Sequence, residues 1–309
     1  MGLPRFLAPL PVLGPGHLVV DPASDELEFN PTGEFIFPSL FDAGRTLGGS
    51  ALARWYLYLA PHERPGGVTL LISDELEGPW RQPFGRPLVA ARWSPHFDVS
   101  HVSSPDVVWD PDASRVRLYF HGENDVTRIA ESADGIDFAY VGEAVSAATV
   151  RAAQPGATTT EASYARVFPY PGPGPQRWAM FFMSNAEDDI RRIEVATSVD
   201  GVAWTVRPRP VLVPGPAEGR NVSSADLVTI GGRRYIAYGA TVGRVLVRRV
   251  DRTLRRVGPP RTLYTPAPDG REAGRATAPQ LLVADGASYL FYETGGRLTA
   301  TIGMARTAR

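Results

Sequence analysis

The sequence predicts an all-β protein, and three observations support this prediction. Few stretches of a dozen residues are free of proline, glycine or clustered β-branched residues, so long helices are not expected. The 31 glycines and 29 prolines of the 309-residue chain instead indicate many turns. Between the turn signals lie short runs in which apolar or aromatic residues alternate with polar ones, which is the period of a β-strand.

An internal repeat organises these runs. Five segments begin with a small residue or proline followed by an apolar run, and one residue in each serves as its register mark. The register marks recur at intervals of 54 to 67 residues. They are Pro38 in FPSLF, Pro105 in SPDVVWDP, Ala165 in YARVFPYPG, Ala225 in SADLVTIGG and Pro279 in APQLLVADG.

Each register mark is followed by an aromatic-rich second run and by a third run. In the second and third repeats an Asp-Gly turn, in SADGIDF and SVDGVAW, leads into a fourth strand. Four strands per ~60 residues, repeated five times, predict a five-bladed β-propeller that spans residues 1–309 as one domain. An open β-sandwich or a pair of β domains is the alternative. Aromatic residues of the second runs are predicted to form the core between blades: Trp55, Tyr56, Tyr119, Trp178, Phe181, Tyr235 and Tyr292.

The two ends of the sequence predict how the ring closes. After the run LTATIGMA only Arg306 to Arg309 remain, too few for a fourth strand in the fifth blade. Residues around Leu10 to Val20 form a strand-like run before the first blade that has no partner of its own. We therefore expect this N-terminal strand to complete the last blade.

Composition excludes several classes of function. No apolar run approaches the roughly 18 residues of a membrane helix, and 32 basic and 33 acidic residues leave a net charge of -1, which favours neither nucleic acid nor membrane as a partner. The sequence has no cysteine and no lysine, so thiolate and Schiff-base chemistry are excluded. The N-terminal segment is broken by prolines and glycines and makes a poor signal peptide, so we expect a cytoplasmic protein.

Two positions in each repeat are polar in all five blades. Such residues on inner strands predict a hydrated central funnel. They could simply solvate the channel, but the mixture of carboxylates, arginines and a histidine is typical of an acid–base site. Four residues before the register marks stand Glu34, His101, Glu161, Asn221 and Arg275, and one residue after them stand Ser39, Asp106, Arg166, Asp226 and Gln280.

Loops between second and third strands are expected on the same face as the start of the first strands, and loops of this kind carry function. They bring His62, His121, Glu123, Asn185, Glu293 and Arg297 to this working face. Aromatic residues near the inner strands could stack on sugar rings, namely Trp93, Phe97, Tyr164 and Phe168. The sequence has none of the familiar metal-ligand spacings, so we expect that the protein requires no cofactor. A structural cation in the axial channel is left as an alternative.

The segments SSPDVVWDP, TEASYARVF and SADGIDF resemble the five-bladed propeller glycosidases of the glycoside hydrolase family 43, 32 and 117 type. The resemblance covers nearly the whole chain in its blade pattern. It implies a blade-one Asp as base or nucleophile, a blade-two Asp that tunes acidity and a blade-three Glu as general acid. Asp106 matches the blade-two residue and Glu161 the blade-three acid. Blade one differs, because Phe37-Pro38 stands where the family 43 pattern has Asp-Pro, and Glu34 is the natural replacement.

These observations lead to the hypothesis of a glycoside hydrolase that acts on a terminal sugar or short oligosaccharide in the funnel. Glu161 would protonate the leaving oxygen, and Glu34 or Asp106 would activate water or stabilise the transition state. The alternatives are a non-catalytic carbohydrate-binding propeller and a polysaccharide lyase with His101 or His121 as base. Arg166 and Arg275 make an acidic sugar conceivable, although salt bridges between blades explain them equally well. Residues expected to bind the sugar are His62, His101, His121, Glu123, Arg166, Asn221, Asp226 and Arg275.

Overall fold

A computed structural model describes residues 9–23 and 26–308. These residues form sheets arranged as a five-bladed β-propeller, which confirms the predicted fold class. In every blade the strand with the register mark is an edge strand of its sheet. These first strands contact one another in sequence order, and the fifth contacts the first, so they form the innermost ring of the molecule.

The blades have the following strands, from the axis outwards. Blade one contains Ile36–Asp42, Trp55–Ala60 and Thr69–Ser73. Blade two contains Ser103–Asp110, Arg115–Gly122, Val126–Ser132 and Ala139–Ser146. Blade three contains Thr159–Pro169, Trp178–Ala186, Arg192–Ser198 and Thr205–Val206. Blade four contains Val222–Ile230, Arg233–Ala240, Val245–Val250 and Val257–Tyr264. Blade five contains Ala276–Ala284, Ala287–Thr294, Thr301–Arg306 and His17–Val20.

The N-terminal strand closes the ring, as the sequence predicts. His17–Val20 pairs antiparallel with Thr301–Arg306, the third strand of blade five. A further bridge joins Leu13 to Thr307. The third strand of the last blade is thereby paired on both sides, and His17–Val20 becomes the outer edge of that blade.

Helices are short and lie in connections. One helix spans Ala43–Leu47 and is followed by a 3-10 turn at Gly48–Ser50. The other spans Ala147–Ala153 between blades two and three, where the Ser146 side chain accepts a hydrogen bond from the N–H of Thr149. A two-stranded ribbon, Arg92–Trp93 with Phe97–Asp98, precedes blade two. Within residues 9–23 and 26–308 no helix is long and apolar enough to cross a membrane.

The core consists of five main apolar clusters, one at each boundary between neighbouring blades. All seven aromatic residues predicted to lie between blades are buried there. Two of the boundaries also share a polar contact, because the hydroxyl of Tyr58 donates to the carbonyl of Gly135 and that of Tyr119 donates to the carbonyl of Gly201, each at 2.7 Å. The predicted Asp-Gly turns are therefore held by the preceding blade.

A one-residue β-bulge interrupts the first strand of every blade at the register mark. In blade three, for example, Ser163 and Arg166 are three residues apart but pair with Met183 and Phe181, which are two apart. The extra residue reverses the alternation, so side chains four residues before and one residue after the register mark face the same way. The residue before each register mark has a positive φ, and none of the five is glycine: Phe37, Ser104, Tyr164, Ser224 and Ala278.

Candidate active site

A cavity of about 390 Å³ lies at the axis, on the face where the first strands begin. We call it the funnel. Charged side chains dominate its wall, with three carboxylates balanced by three guanidinium groups. The wall residues that bear on its chemistry are Glu34, Glu161, Glu293, Arg191, Arg275, Arg297, His62, Tyr164 and Asn124. Two of the three carboxylates predicted to be catalytic, Glu34 and Glu161, thus share one cavity.

Glu34 is held just before the first strand of blade one and is 1% exposed. Its Oε1 accepts a hydrogen bond of 2.9 Å from the backbone N–H of His62, in the loop after the second strand. Its Oε2 is buried and has no hydrogen-bond partner among the described residues. Because a buried carboxylate oxygen normally has a donor, this free oxygen is suited to accept a proton from a bound water or sugar.

Glu161 occupies the matching position in blade three and is partly exposed to the funnel. The amide nitrogen of Asn185, which pairs with it across the blade, donates to its Oε1 at 3.3 Å. The second carboxyl oxygen is left for a ligand. An amide neighbour carries no charge, so the carboxyl can be held in place in either protonation state.

The ring of Tyr164 forms the floor of the funnel. The ring of Phe37, which is fully buried, lies beneath it with the two centroids 5.6 Å apart, and both residues are at the positive-φ position. Burial raises the pKa of the Tyr164 phenol, while Arg191 opposes the rise and Glu293 adds to it. The phenol is therefore a neutral hydrogen-bond donor at the base of the cavity. Burial also lowers the pKa of His62, helped by Arg297, so this ring is neutral near pH 7.

The other residues predicted on the working face lie beside the funnel. His121 is 2% exposed and stands edge-on behind Tyr164, with ring centroids 5.3 Å apart. His101 packs against His121 and its Nε2 lies 3.3 Å from Oδ1 of Asn124, which does line the funnel. Glu123 is turned to solvent, where it pairs with Arg128 at 3.4 Å. The structure thus places His101 and His121 as support for the wall.

Beneath the floor, a buried ion pair closes the axis. Arg166 is 1% exposed and its Nη1 donates to Oδ1 of Asp106 at 3.0 Å, while its Nη2 donates to the carbonyl of Pro38 at 2.7 Å. Oδ2 of Asp106 accepts from the N–H of Val167 at 2.7 Å. The guanidinium also lies 4.0 Å from the centroid of the Phe37 ring above it. We call Arg166 and Asp106 the axial plug. Both residues were predicted to act on the substrate, and the structure places them below the floor, because they lie five residues further along the chain than Glu161 and His101.

Asp226 faces the same level from blade four and is partly buried. Burial raises its pKa to about 7, with the nearby Asp106 adding to the rise and Arg166 opposing it. A carboxyl whose pKa is higher in the folded than in the unfolded protein stabilises the fold at low pH, and this contribution is lost as the pH rises through about 7.

We therefore expect Asp226→Asn to raise the melting temperature by at least ~2 °C more at pH 8 than at pH 5, because ionisation of the buried carboxyl is complete only above a pH of about 7. Thermal unfolding followed by circular dichroism at the two pH values measures this difference. Asp269→Asn, at an exposed position, is the control and should change neither value. Equal shifts of the Asp226 variant at both pH values would contradict the explanation.

Two further predicted residues have structural partners at the funnel rim. Arg275 lines the funnel, and its guanidinium donates to Glu293 and to the carbonyl of Gly295 at 3.1 Å. Oδ1 of Asn221 accepts a hydrogen bond of 2.9 Å from the backbone N–H of Arg191. In the described part of the chain, no group of three or more His, Asp or Glu residues is placed to hold a metal ion.

Some wall residues were not predicted as site residues. Glu293 lies at the end of the second strand of blade five and Arg297 in the loop that follows it. The repeat assigned this segment to the working face, so its position carried the signal. Arg191 follows the corresponding loop of blade three, but it is one of two adjacent arginines, and only the structure shows that Arg192 pairs with Asp188 while Arg191 lines the funnel. Tyr164 was predicted only as a sugar-stacking aromatic.

Comparison with known proteins supports the fold. No family model and no curated protein matches the sequence. Among solved structures, the protein is similar to BT0996 in an RGII complex, with 14% identity, a TM-score of 0.72 and 98% of this chain and 92% of that chain covered. It is also similar to an α-L-arabinofuranosidase from Lactobacillus brevis, with 12% identity, a TM-score of 0.60 and 89% and 92% covered. A thermostable family-43 glycoside hydrolase shows 19% identity, a TM-score of 0.56 and 66% and 68% covered. The resemblance to the propeller glycosidases that the motifs indicated is thus confirmed at the level of the fold.

Proposed function

We propose that the protein is a glycoside hydrolase that cleaves a terminal sugar or a short oligosaccharide in the funnel. The observation that carries this proposal is the unpartnered, buried Oε2 of Glu34 in the same cavity as Glu161. Glycoside hydrolysis needs two carboxyl groups on either side of the scissile bond, one to protonate the leaving oxygen and one to act on the anomeric side. The similarity in fold to solved glycoside hydrolases supports the same activity.

In this mechanism Glu161 is the general acid. It stands at the start of an inner strand, and its carboxyl group is fixed by Asn185, so the proton is delivered from a defined direction. Glu34 acts from the opposite side of the ring of blades through its free Oε2. The ring of Tyr164, supported from below by Phe37, supplies an apolar face for the sugar ring, and the neutral Tyr164 hydroxyl and His62 supply hydrogen bonds to sugar hydroxyls.

Asp106 is not the second carboxylate in this proposal. Both of its carboxyl oxygens accept hydrogen bonds, Oδ1 from Arg166 and Oδ2 from the backbone N–H of Val167, and the residue is 4% exposed. Its effect on catalysis is to hold Arg166 under the floor, so we treat it as a positioning residue.

A panel of chromogenic monosaccharide glycosides, incubated with the purified protein, tests the proposed reaction. Release of the chromophore together with a saturated sugar is the expected result. A product with an unsaturated ring, which absorbs in the near ultraviolet, would instead identify a lyase. Binding of sugars without any turnover would identify a carbohydrate-binding protein, and either outcome would overturn the proposal.

Glu34→Gln tests the second carboxylate. We expect the rate to fall at least ~10²-fold, because the amide cannot take a proton from water or attack the anomeric carbon. Substrates with an activated leaving group should not restore the rate, since the lost group acts on the other side of the scissile bond. Glu143→Gln, at an exposed position on the outer strand of blade two, is the matched control and should retain full activity.

A further inference from the structure

Arg191 occupies a junction between two cavities. It precedes the third strand of blade three, and its backbone N–H is fixed by Asn221 of blade four. Its side chain lines the funnel and also a second cavity of about 420 Å³ at the boundary of blades four and five. Since the two cavities also share Ser223, Arg275 and Thr277, they form one continuous cleft.

Of the three arginines in the funnel wall, Arg191 is the one whose guanidinium group lacks a partner among the described residues, since Arg297 pairs with Glu63 and Arg275 with Glu293. No hydrogen bond or ion pair of this side chain occurs with any residue in the ranges 9–23 and 26–308. By contrast Arg275 is neutralised by Glu293, Arg192 by Asp188 and Arg220 by Asp189. A partly buried guanidinium has five donors to satisfy, so an anion at this junction would be bound strongly.

The charge of Arg191 lies near the floor of the funnel, because Arg191 and Tyr164 line the same cavity. The cation accordingly opposes the burial that raises the pKa of the Tyr164 phenol. Arg275 is paired with Glu293, whereas Glu34 and Glu161 have no counter-charge in direct contact. Because the proposed mechanism uses Glu161 as an acid and Glu34 as a carboxylate, an anionic sugar placed there would be repelled by Glu34 unless a cation held its charge away from that group.

We propose that the substrate is an oligosaccharide that carries a carboxylate group, a uronic acid unit, and that Arg191 binds this carboxylate where the funnel opens into the second cavity. A guanidinium group matches a carboxylate with two parallel hydrogen bonds. The second cavity then accommodates the next sugar of the chain. This inference rests on the proposed function, because it names the substrate class of the same site.

Binding to sets of three related disaccharides tests the inference. The three members of a set differ only at C6 of one ring, which carries a carboxylate, a hydroxyl or a sulfate group. Titration calorimetry with the Glu161→Gln protein measures binding without turnover. We expect at least one uronate to bind ten times or more tightly than its neutral partner, and more tightly than the sulfated sugar.

Arg191→Gln should remove the preference for the uronate while leaving the affinity for the neutral sugar within about twofold. Arg191→Lys should retain part of the preference, because the positive charge remains but the two parallel N–H donors of the guanidinium group are lost. Arg209→Gln, which removes the same charge at an exposed position of blade three, should leave the preference unchanged. Thermal unfolding of each variant verifies that it is folded.

Each outcome separates the two proposals. The assignment of Arg191 would be overturned by any of three results, even if the protein hydrolyses neutral glycosides. The uronates could bind no more tightly than their neutral partners or not at all, the sulfated sugar could bind more tightly than the uronate, or the uronate preference could survive Arg191→Gln. A uronate preference that depends on Arg191, without cleavage of any glycoside by the wild-type protein, would overturn the proposed hydrolysis and leave this inference standing.

Discussion

Replacing Glu161 with Gln is expected to reduce kcat on an unactivated glycoside by about 10²- to 10⁴-fold, the usual contribution of a general acid. Glutamine keeps the shape of the side chain and its contact with Asn185, but it has no carboxylic proton to give to the leaving oxygen. The loss should be much smaller for a substrate such as a dinitrophenyl glycoside, whose leaving group departs without a proton.

Steady-state kinetics on both substrates measures the ratio of the two losses. Glu187→Gln, at an exposed position of the same blade, should leave kcat unchanged on either substrate. Full activity of Glu161→Gln on the unactivated glycoside would show that Glu161 only lines the funnel. If the activated substrate rescued Glu34→Gln as well as Glu161→Gln, the division of roles between the two carboxylates would be wrong.

Arg166→Met is expected to destabilise the fold by about 3–5 kcal/mol at pH 8, because it leaves the charge of Asp106 buried without a counter-ion. Burial raises the pKa of Asp106, and Arg166 is the largest influence that opposes the rise. Without Arg166 the carboxyl should take up a proton more readily. The destabilisation should therefore be smaller at pH 5 than at pH 8.

Urea unfolding at both pH values measures this free energy. Arg220→Met is the matched control, since Arg220 and Asp189 form an exposed pair at 3.2 Å with side chains 60% and 70% accessible. Exposed pairs contribute about 0–1 kcal/mol, so this control should cost little. A loss for Arg166→Met no larger than that of the control, at both pH values, would show that the axial plug does not stabilise the ring.

Much of the fold could be predicted from the sequence because the signals are local. Alternating apolar residues and Asp-Gly turns such as Asp134-Gly135 specify strands and hairpins without knowledge of distant contacts, and a repeat then assembles them into blades. Pairing of the N-terminal strand followed from counting strands. The bulge could not be predicted, since the residues that adopt positive φ, among them Phe37 and Tyr164, are not glycines and carry no turn signature.

Distance along the first strands explains which part of the site the sequence misplaced. The bulge turns the polar residues on the two sides of each register mark the same way, but five positions along the strand and intervening side chains such as Tyr164 separate them into two levels. Glu34 and Glu161 are on the open level, whereas Asp106 and Arg166 are on the closed one. Arg191 escaped prediction because only contacts in the folded protein distinguish it from Arg192: its backbone N–H donates to Asn221 of another blade, while Arg192 pairs with Asp188.

The axial plug has a kinetic consequence. Arg166 of blade three reaches Asp106 of blade two and the Pro38 carbonyl of blade one, so these side chains lie across the axis below Tyr164. The funnel and the second cavity both lie on the face where the first strands begin, so a sugar released beside Tyr164 must leave through the same face on which the next substrate arrives. Under the proposed function, a polymer cannot be threaded through the ring and cut repeatedly while it slides. The released sugar should accordingly compete with incoming substrate, and turnover should slow as product accumulates.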